Sequence, residues 1–130
     1  MKFKIYRNIQ NYDDIILEFK GNYITYKFSY YERSGYLNLW NTMSALETFY
    51  EANSRNVDCV RTIPLPISNQ CNCWLILTKI KDVQPTVLFK AESFLGNYRE
   101  AIEIDMYEIN NLRSEWIDSD IREFLIDTFY

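Results

Sequence analysis

The residues of this chain that could take part in chemistry are carboxylates, tyrosines and cysteines, because its 130 residues include no histidine. Histidine is the commonest general base and metal ligand near neutral pH, so its absence excludes Ser-His-Asp and Cys-His nucleophilic sites. Gly21, Gly35 and Gly96 are isolated, and none opens a helix in the pattern of a phosphate-binding loop. No motif predicts an enzyme, and we expect neither catalytic residues nor a cofactor.

The three cysteines, Cys59, Cys71 and Cys73, are an odd number, which argues against a disulfide framework. Cys71 and Cys73 flank a single asparagine and could suggest a metal clip. Structural zinc usually needs four Cys or His ligands, however, and the chain cannot supply them. We therefore expect buried thiols in or beside a strand, with a redox role as the alternative. Folding should require neither a metal nor a disulfide.

The charges are distributed unevenly along the chain. Residues 1–90 contain 11 Lys or Arg and 8 Asp or Glu, whereas residues 91–130 contain 3 Arg and 10 Asp or Glu. Within the last segment, Glu123 and Asp127 are like charges at i,i+4 of a predicted helix, an arrangement that destabilises a helix. Asp127 also lies near the negative end of the helix dipole. These two arrangements lower helix stability without an evident compensating interaction, which indicates that the acidic residues form a functional surface. The alternative is a solvated face that maintains solubility.

We predict that outward-facing residues of this acidic segment bind a partner. Asp or Glu alternate with apolar residues on a late strand, and they recur at helical spacing on the last helix. The predicted binding residues are Glu103, Asp105, Tyr107, Asp120, Glu123 and Asp127.

A second candidate surface is the tyrosine-rich segment that follows the third predicted strand. Residues 32–35 are predicted to form a loop, with Tyr31, Arg33 and Tyr36 exposed around it. Several Tyr with an Arg have the composition of a binding hot spot. Alternatively, these tyrosines lie at strand ends and pack over the core.

The elements that must position these residues follow from hydrophobic periodicity. Helical spacing predicts helices over 43–53 and within 115–128. A Gly21-Asn22 hairpin turn indicates antiparallel pairing, and the three residues from Pro64 to Pro66 predict an extended loop. The remaining pattern predicts strands over 2–7, 14–20, 23–30, 36–40, 57–62, 73–79, 86–90 and 101–108. The fold class is therefore α+β, with a mainly antiparallel sheet and two principal helices, the second at the C-terminus. We expect residues 1–130 to form a single domain.

The first residues alternate apolar with basic side chains and lack the continuous apolar stretch of a signal peptide. The longest apolar run, Cys73 to Leu77, is far shorter than the ~20 residues that span a bilayer. We therefore expect a cytoplasmic protein without a membrane segment. We also expect no direct nucleic-acid binding.

The chain resembles a known group of small proteins in three features. These are the aromatic strand over 23–30, the acidic segment from Glu100 to Asp127 and the lack of catalytic motifs. These are the cytosolic immunity proteins of bacterial contact-dependent growth inhibition and related polymorphic toxin systems. The resemblance implies a stoichiometric inhibitor that neutralises a toxin, often a nuclease with a basic substrate-binding surface. Acidic phage-encoded inhibitors of host defence have a similar profile. Two other classes stay open: a small-molecule-binding or enzymatic domain with a Tyr-lined pocket, and a structural or assembly subunit.

Overall fold

The computed structural model describes residues 2–130, which form two antiparallel sheets and three helices. The α+β class predicted from the sequence is confirmed. The first sheet has the order β1-β2-β3 and contains β1 (Phe3–Asn8), β2 (Asn11–Lys20) and β3 (Thr25–Tyr30). The second has the order β4-β5-β6-β7 and contains β4 (Cys59–Ser68), β5 (Cys71–Lys79), β6 (Thr86–Ser93) and β7 (Arg99–Ile104). The helices are α1 (Glu32–Arg55), α2 (Met106–Ile117) and α3 (Asp120–Phe129).

The period-2 pattern of β3 places its aromatic side chains in the core. Tyr26, Phe28 and Tyr30 are buried, whereas the residues between them are exposed, as the sequence predicts. Phe19 of β2 and Phe89 of β6 have ring centroids 4.3 Å apart, so aromatic contacts join the two sheets. Buried residues of both sheets and all three helices form one hydrophobic cluster. That residues 1–130 are a single domain stays a prediction.

Helix α1 begins at Glu32, so the predicted loop at 32–35, the extended stretch at 36–40 and the helix start at 43 are wrong. Tyr31 occupies the N-cap position, and its side chain makes no capping hydrogen bond. Glu32 has a φ of 59°, and Gly35 lies in the first turn, where a Cβ would be 3.3 Å from the Tyr30 carbonyl carbon. A capping side chain is therefore missing, although Glu32 supplies an acidic residue in the first turn. Burial of Tyr36 against the core helps to order the first turns.

The C-terminal segment contains two helices where one was predicted. Strand β7 ends at Ile104, and the predicted strand at 101–108 is wrong beyond that residue. The Asp105 carboxylate caps α2 by accepting a hydrogen bond from the Tyr107 N–H at 2.9 Å. Ser119 caps α3 in the same way by accepting from the Arg122 N–H at 3.2 Å. Asp105 separates β7 from α2, whereas Asp118 ends α2 and the adjacent Ser119 starts α3.

The predicted proline loop and the predicted hairpin turn also differ from the structure. Pro64 to Pro66 lie inside β4, which is the edge strand of its sheet, where proline is tolerated. The β2–β3 hairpin is present, but its turn contains the four residues 21–24 instead of two, closed by the Gly21 N–H donating to the Ile24 carbonyl at 2.9 Å. None of the helices in residues 2–130 has the length and apolar character needed to cross a membrane.

Candidate functional site

The acidic side chains of α3 lie on one exposed side of that helix. Asp120, Glu123 and Asp127 are all exposed, because spacings of three and four residues return to the same helical face. Arg7 approaches Asp120 at 4.0 Å, and the Asp120 side chain remains 83% exposed. Within residues 2–130, neither Glu123 nor Asp127 has a Lys or Arg nitrogen within 4.0 Å. We call these three residues the α3 acidic face; two of its charges have no local counter-charge.

The structure separates the three predicted residues of the tyrosine-rich segment. Tyr31 is 57% exposed and Arg33 is exposed, but Tyr36 is only 8% exposed. The prediction that Tyr36 lies on an accessible surface is therefore wrong. The helix turns its side chain inward, where the ring meets Phe124 edge-on at 5.3 Å and the hydroxyl donates to the Asp13 carbonyl.

Helix α3 lies beside the first half of α1, so the two candidate surfaces are neighbours. The Arg33 guanidinium carbon is 5.0 Å from the centroid of the Phe129 ring, a cation–π geometry. Tyr130 is 87% exposed, and its ring centroid is 6.1 Å from that of Trp40. The exposed Tyr130 was missed at the sequence level, because a terminal aromatic residue outside any periodic pattern carries no signal.

The other predicted acidic residues form a separate group. Glu103, Asp105 and Tyr107 are exposed, and Tyr107 is 69% exposed. They lie before and at the first turn of α2, whereas α3 begins beyond its last turn. The 12 residues of α2 correspond to about 18 Å of helix. Because the Asp105 carboxylate already caps α2, its presence also has a local structural explanation.

The burial of Glu100 differs most from what the sequence predicts. This residue lies in the predicted acidic segment, but it is only 7% exposed and is directed toward Asn22 and Tyr26 of the first sheet and its hairpin turn. Its Oε1 accepts from the Asn22 N–H at 2.6 Å, and its Oε2 accepts from the hydroxyls of Tyr26 and Tyr98. A signal was available, because Glu100 has the same strand parity as the inward-facing Ile102.

The chemistry of this buried carboxylate is that of a structural acceptor. Burial, and then the hydrogen bond to Glu100, raise the pKa of the Tyr26 hydroxyl, so that group stays protonated and continues to donate. Among residues 2–130, no Lys or Arg nitrogen lies within 4.0 Å of Glu100. The three donors therefore compensate its charge and connect β7 to the β2–β3 hairpin.

Cys71 and Cys73 are free and buried on β5, in agreement with the buried-thiol interpretation. Burial raises the pKa of both thiols, that of Cys73 to about 12. The thiolate is the form that attacks electrophiles and binds metals, so both side chains are unreactive near neutral pH. The part of the chain that the structure describes contains no group of three or more His, Cys, Asp or Glu side chains able to hold a metal ion.

A cavity of about 550 Å³ lies between α1 and the strands β3 and β4. Its lining includes Tyr30 and Tyr31 but none of the three cysteines, and the small-molecule alternative stays a prediction. Its other walls are mainly polar, and they include Asn38, Arg61 and Thr62.

The chain matches no protein-family model, no curated protein and no solved structure.

Proposed function

We propose that this chain is a non-catalytic inhibitor that binds and neutralises a toxin domain through the α3 acidic face. The observation that supports the proposal most is that Glu123 and Asp127 are exposed on one side of α3 without a cationic neighbour in residues 2–130. Two such charges at i,i+4 cost the helix a few tenths of a kcal/mol in stability. A partner with a basic surface would convert that cost into favourable contacts.

A nuclease toxin supplies such a surface, because an enzyme that acts on nucleic acid attracts the phosphate backbone with Lys and Arg. An acidic protein that covers those side chains excludes the substrate. The long-range attraction would chiefly increase the association rate constant, and added salt would weaken it. This role requires no catalytic group on the inhibitor.

High affinity also requires desolvated anchors near the centre of the interface, most often aromatic or Arg side chains. Arg33, Tyr31 and Tyr130 are exposed at the first half of α1 and the end of α3. We assign them to this interface as anchors. Glu103, Asp105 and Tyr107 lie at the start of α2, and the length of that helix, about 18 Å, separates its start from its end near α3. A standard interface of about 800 Å² per partner extends over a comparable distance. These three residues therefore form a second, outlying contact in the proposal.

The test is the double charge reversal Glu123→Lys with Asp127→Lys, compared with the matched control Glu51→Lys on an exposed site of α1. Wild-type and variant proteins, each tagged, are used to capture partners in parallel from the source cells. The captured toxin is then purified, and its association rate is measured by stopped-flow fluorescence at low and high salt.

We expect the double variant to associate several-fold more slowly at low salt, with the difference shrinking as salt increases. The Glu51→Lys control should behave like the wild type. Equal association rates for the double variant and the wild type would show that the interface lies elsewhere. Capture of no toxin by the wild-type protein would contradict the inhibitor function itself.

A further inference from the structure

The two sheets present their unpaired edges to one another. β3 is an edge strand of the first sheet, and β4 is an edge strand of the second. They approach where the Lys27 N–H donates to Ser68 Oγ at 3.1 Å and where Asn69 Nδ2 donates to the Thr25 carbonyl at 3.1 Å. Within residues 2–130, no backbone–backbone hydrogen bond joins the two strands. Both edges therefore retain free main-chain donors and acceptors.

The strand geometry identifies which main-chain groups are free. Because the Lys27 N–H faces β4, alternation along the strand directs the N–H and C=O of Ser29 to the same side. On β4, Pro64 is paired opposite Trp74. A proline is accommodated in an edge strand where its nitrogen faces away from the ladder. Thr62, two residues earlier, then presents both its N–H and its C=O to the free edge.

The free groups of both edges line the cavity of about 550 Å³, which includes Ser29, Thr62 and Pro64. The side chains of Asn38 and Asn41 on α1 form the facing wall. This volume lies within the range of about 300–1,000 Å³ that is typical of ligand sites. The walls thus combine main-chain groups on one side with amide side chains on the other, an arrangement suited to hydrogen-bonding another polypeptide backbone.

Tyr30 supplies independent support for a ligand. Tyr30 is one of the residues that line the cavity, and its side chain is only 1% exposed. Its hydroxyl is buried without a hydrogen-bond partner of standard geometry, and the neighbour that most nearly serves as one is the Thr42 side chain. A buried polar group without a partner costs about 1–3 kcal/mol. Burial raises the pKa of this hydroxyl, so it remains a donor. A ligand carbonyl that reached this hydroxyl would satisfy it.

The positive charge of Arg61 at the cavity favours polypeptides that carry an acidic side chain. The cavity lining includes two exposed charged side chains, Arg61 and Glu32, which do not form an ion pair within 4.0 Å. Among residues 2–130, no carboxylate oxygen lies within 4.0 Å of the Arg61 guanidinium. An Arg without a counter-charge favours a ligand that carries a carboxylate, with which it can form a bidentate pair.

We propose that this cavity binds an extended peptide segment of a partner protein, which adds as a strand to the free edge of β4 and places an acidic side chain at Arg61. The cavity lining from Arg61 to Pro66 spans about 17 Å at about 3.4 Å per residue, enough for about five extended residues. Thr62 would both donate to and accept from the peptide backbone, whereas Pro64 and Pro66 would only accept, and these main-chain hydrogen bonds would contribute to the affinity as in other cases of strand addition. Pro64 and Pro66 prevent longer pairing, and so protect this edge from unspecific association. The proposal is independent of the α3 acidic face.

The experiment uses a phage-displayed library of random heptapeptides selected against the full chain. Enriched sequences are synthesised with a fluorophore, and their affinities are measured by fluorescence anisotropy. Asn38→Trp fills the cavity from an exposed helix position, and Thr48→Trp places the same side chain at an exposed position of α1 outside the cavity. Peptides N-methylated at each position in turn test the main-chain hydrogen bonds. Thermal melting confirms that each variant is folded.

We expect enriched peptides that contain Asp or Glu and bind at least tenfold more weakly to Asn38→Trp than to the wild type. Thr48→Trp should bind them with unchanged affinity. N-methylation should weaken binding at least tenfold at alternate positions, because only alternate residues of a strand face the β4 edge. The proposal is overturned if the library yields no enriched peptide, if the peptides bind Asn38→Trp as tightly as the wild type, or if N-methylation weakens binding at no position.

Discussion

Replacing Glu100 by alanine measures what the buried carboxylate contributes to holding the two sheets together. The change removes the acceptor of the Asn22 N–H and of the Tyr26 and Tyr98 hydroxyls. Tyr26 is fully buried, so its hydroxyl gains no water and retains only the long contact of 3.5 Å to the Tyr98 hydroxyl. Asn22 is exposed and Tyr98 is half-buried, so both of their donors can turn to solvent.

The expected loss of stability follows from these three donors. An unsatisfied buried hydroxyl costs about 1–3 kcal/mol, and two hydrogen bonds exchanged for water cost about 0.5–1 kcal/mol each. Relief from the desolvation cost of burying a carboxylate offsets part of this total. We therefore expect the free energy of unfolding to fall by about 2–4 kcal/mol. With an unfolding entropy of about 0.27 kcal/mol/K for a chain of this size, Tm should fall by about 7–15 °C.

The assay is differential scanning calorimetry of Glu100→Ala and Glu100→Gln beside Glu103→Ala. Glu100→Gln keeps the side-chain volume but replaces one accepting oxygen by an amide NH₂ group, which then faces another hydrogen-bond donor. This change should lower Tm by about 4–7 °C. Glu103 is on the same strand and exposed, so its replacement should change Tm by less than about 2 °C. If Glu100→Ala melts within 2 °C of the Glu103→Ala control, the carboxylate does not connect the sheets as described.

Two further predictions concern other buried polar groups. Tyr30→Phe removes a buried hydroxyl without a partner and should raise Tm by about 4 °C. Tyr36→Phe loses the hydrogen bond to the Asp13 carbonyl and should lower Tm by a similar amount. Calorimetry of the two variants tests both predictions, and a lower Tm for Tyr30→Phe would mean that its hydroxyl is hydrogen-bonded. Urea denaturation between pH 8 and pH 11 should show stability falling as pH rises above about 9, because the folded-state pKa values of Tyr30 and Cys73 are raised and the unfolded chain then releases protons first. Cys73→Ala should make this fall shallower, and an unchanged pH profile would contradict the assignment.

Most individual strands could be predicted from the sequence because their signal is local, whereas their division into two sheets could not. In β3, three aromatic residues alternate with polar ones, and the side chains of a strand alternate between its faces whatever the rest of the chain does. The exposure of Glu123 and Asp127 could be predicted for the same reason, since helical spacing alone determines which residues share a face.

The start of α1 and the site at Glu100 could not be predicted in this way. The first turns of α1 have no capping side chain and contain Gly35, so their helical state depends on packing against distant elements. Glu100 finds Asn22 and Tyr26 more than 70 residues away along the chain. The cavity likewise forms only because the edge strands β3 and β4 approach each other. The residue pattern within either strand does not determine that approach.

The α3 acidic face and the cavity would affect binding to a single partner in different ways. Exposed charges act before contact, so reversing Glu123 and Asp127 should slow association and change its salt dependence. A peptide held in the cavity by main-chain hydrogen bonds acts after contact, so Asn38→Trp should speed dissociation instead. If the two surfaces bind one partner independently, the free-energy effects of the changes should add within about 0.5 kcal/mol, as for distant sites. A larger coupling would show that occupation of one surface alters the other, which the contact between α1 and both surfaces makes physically possible.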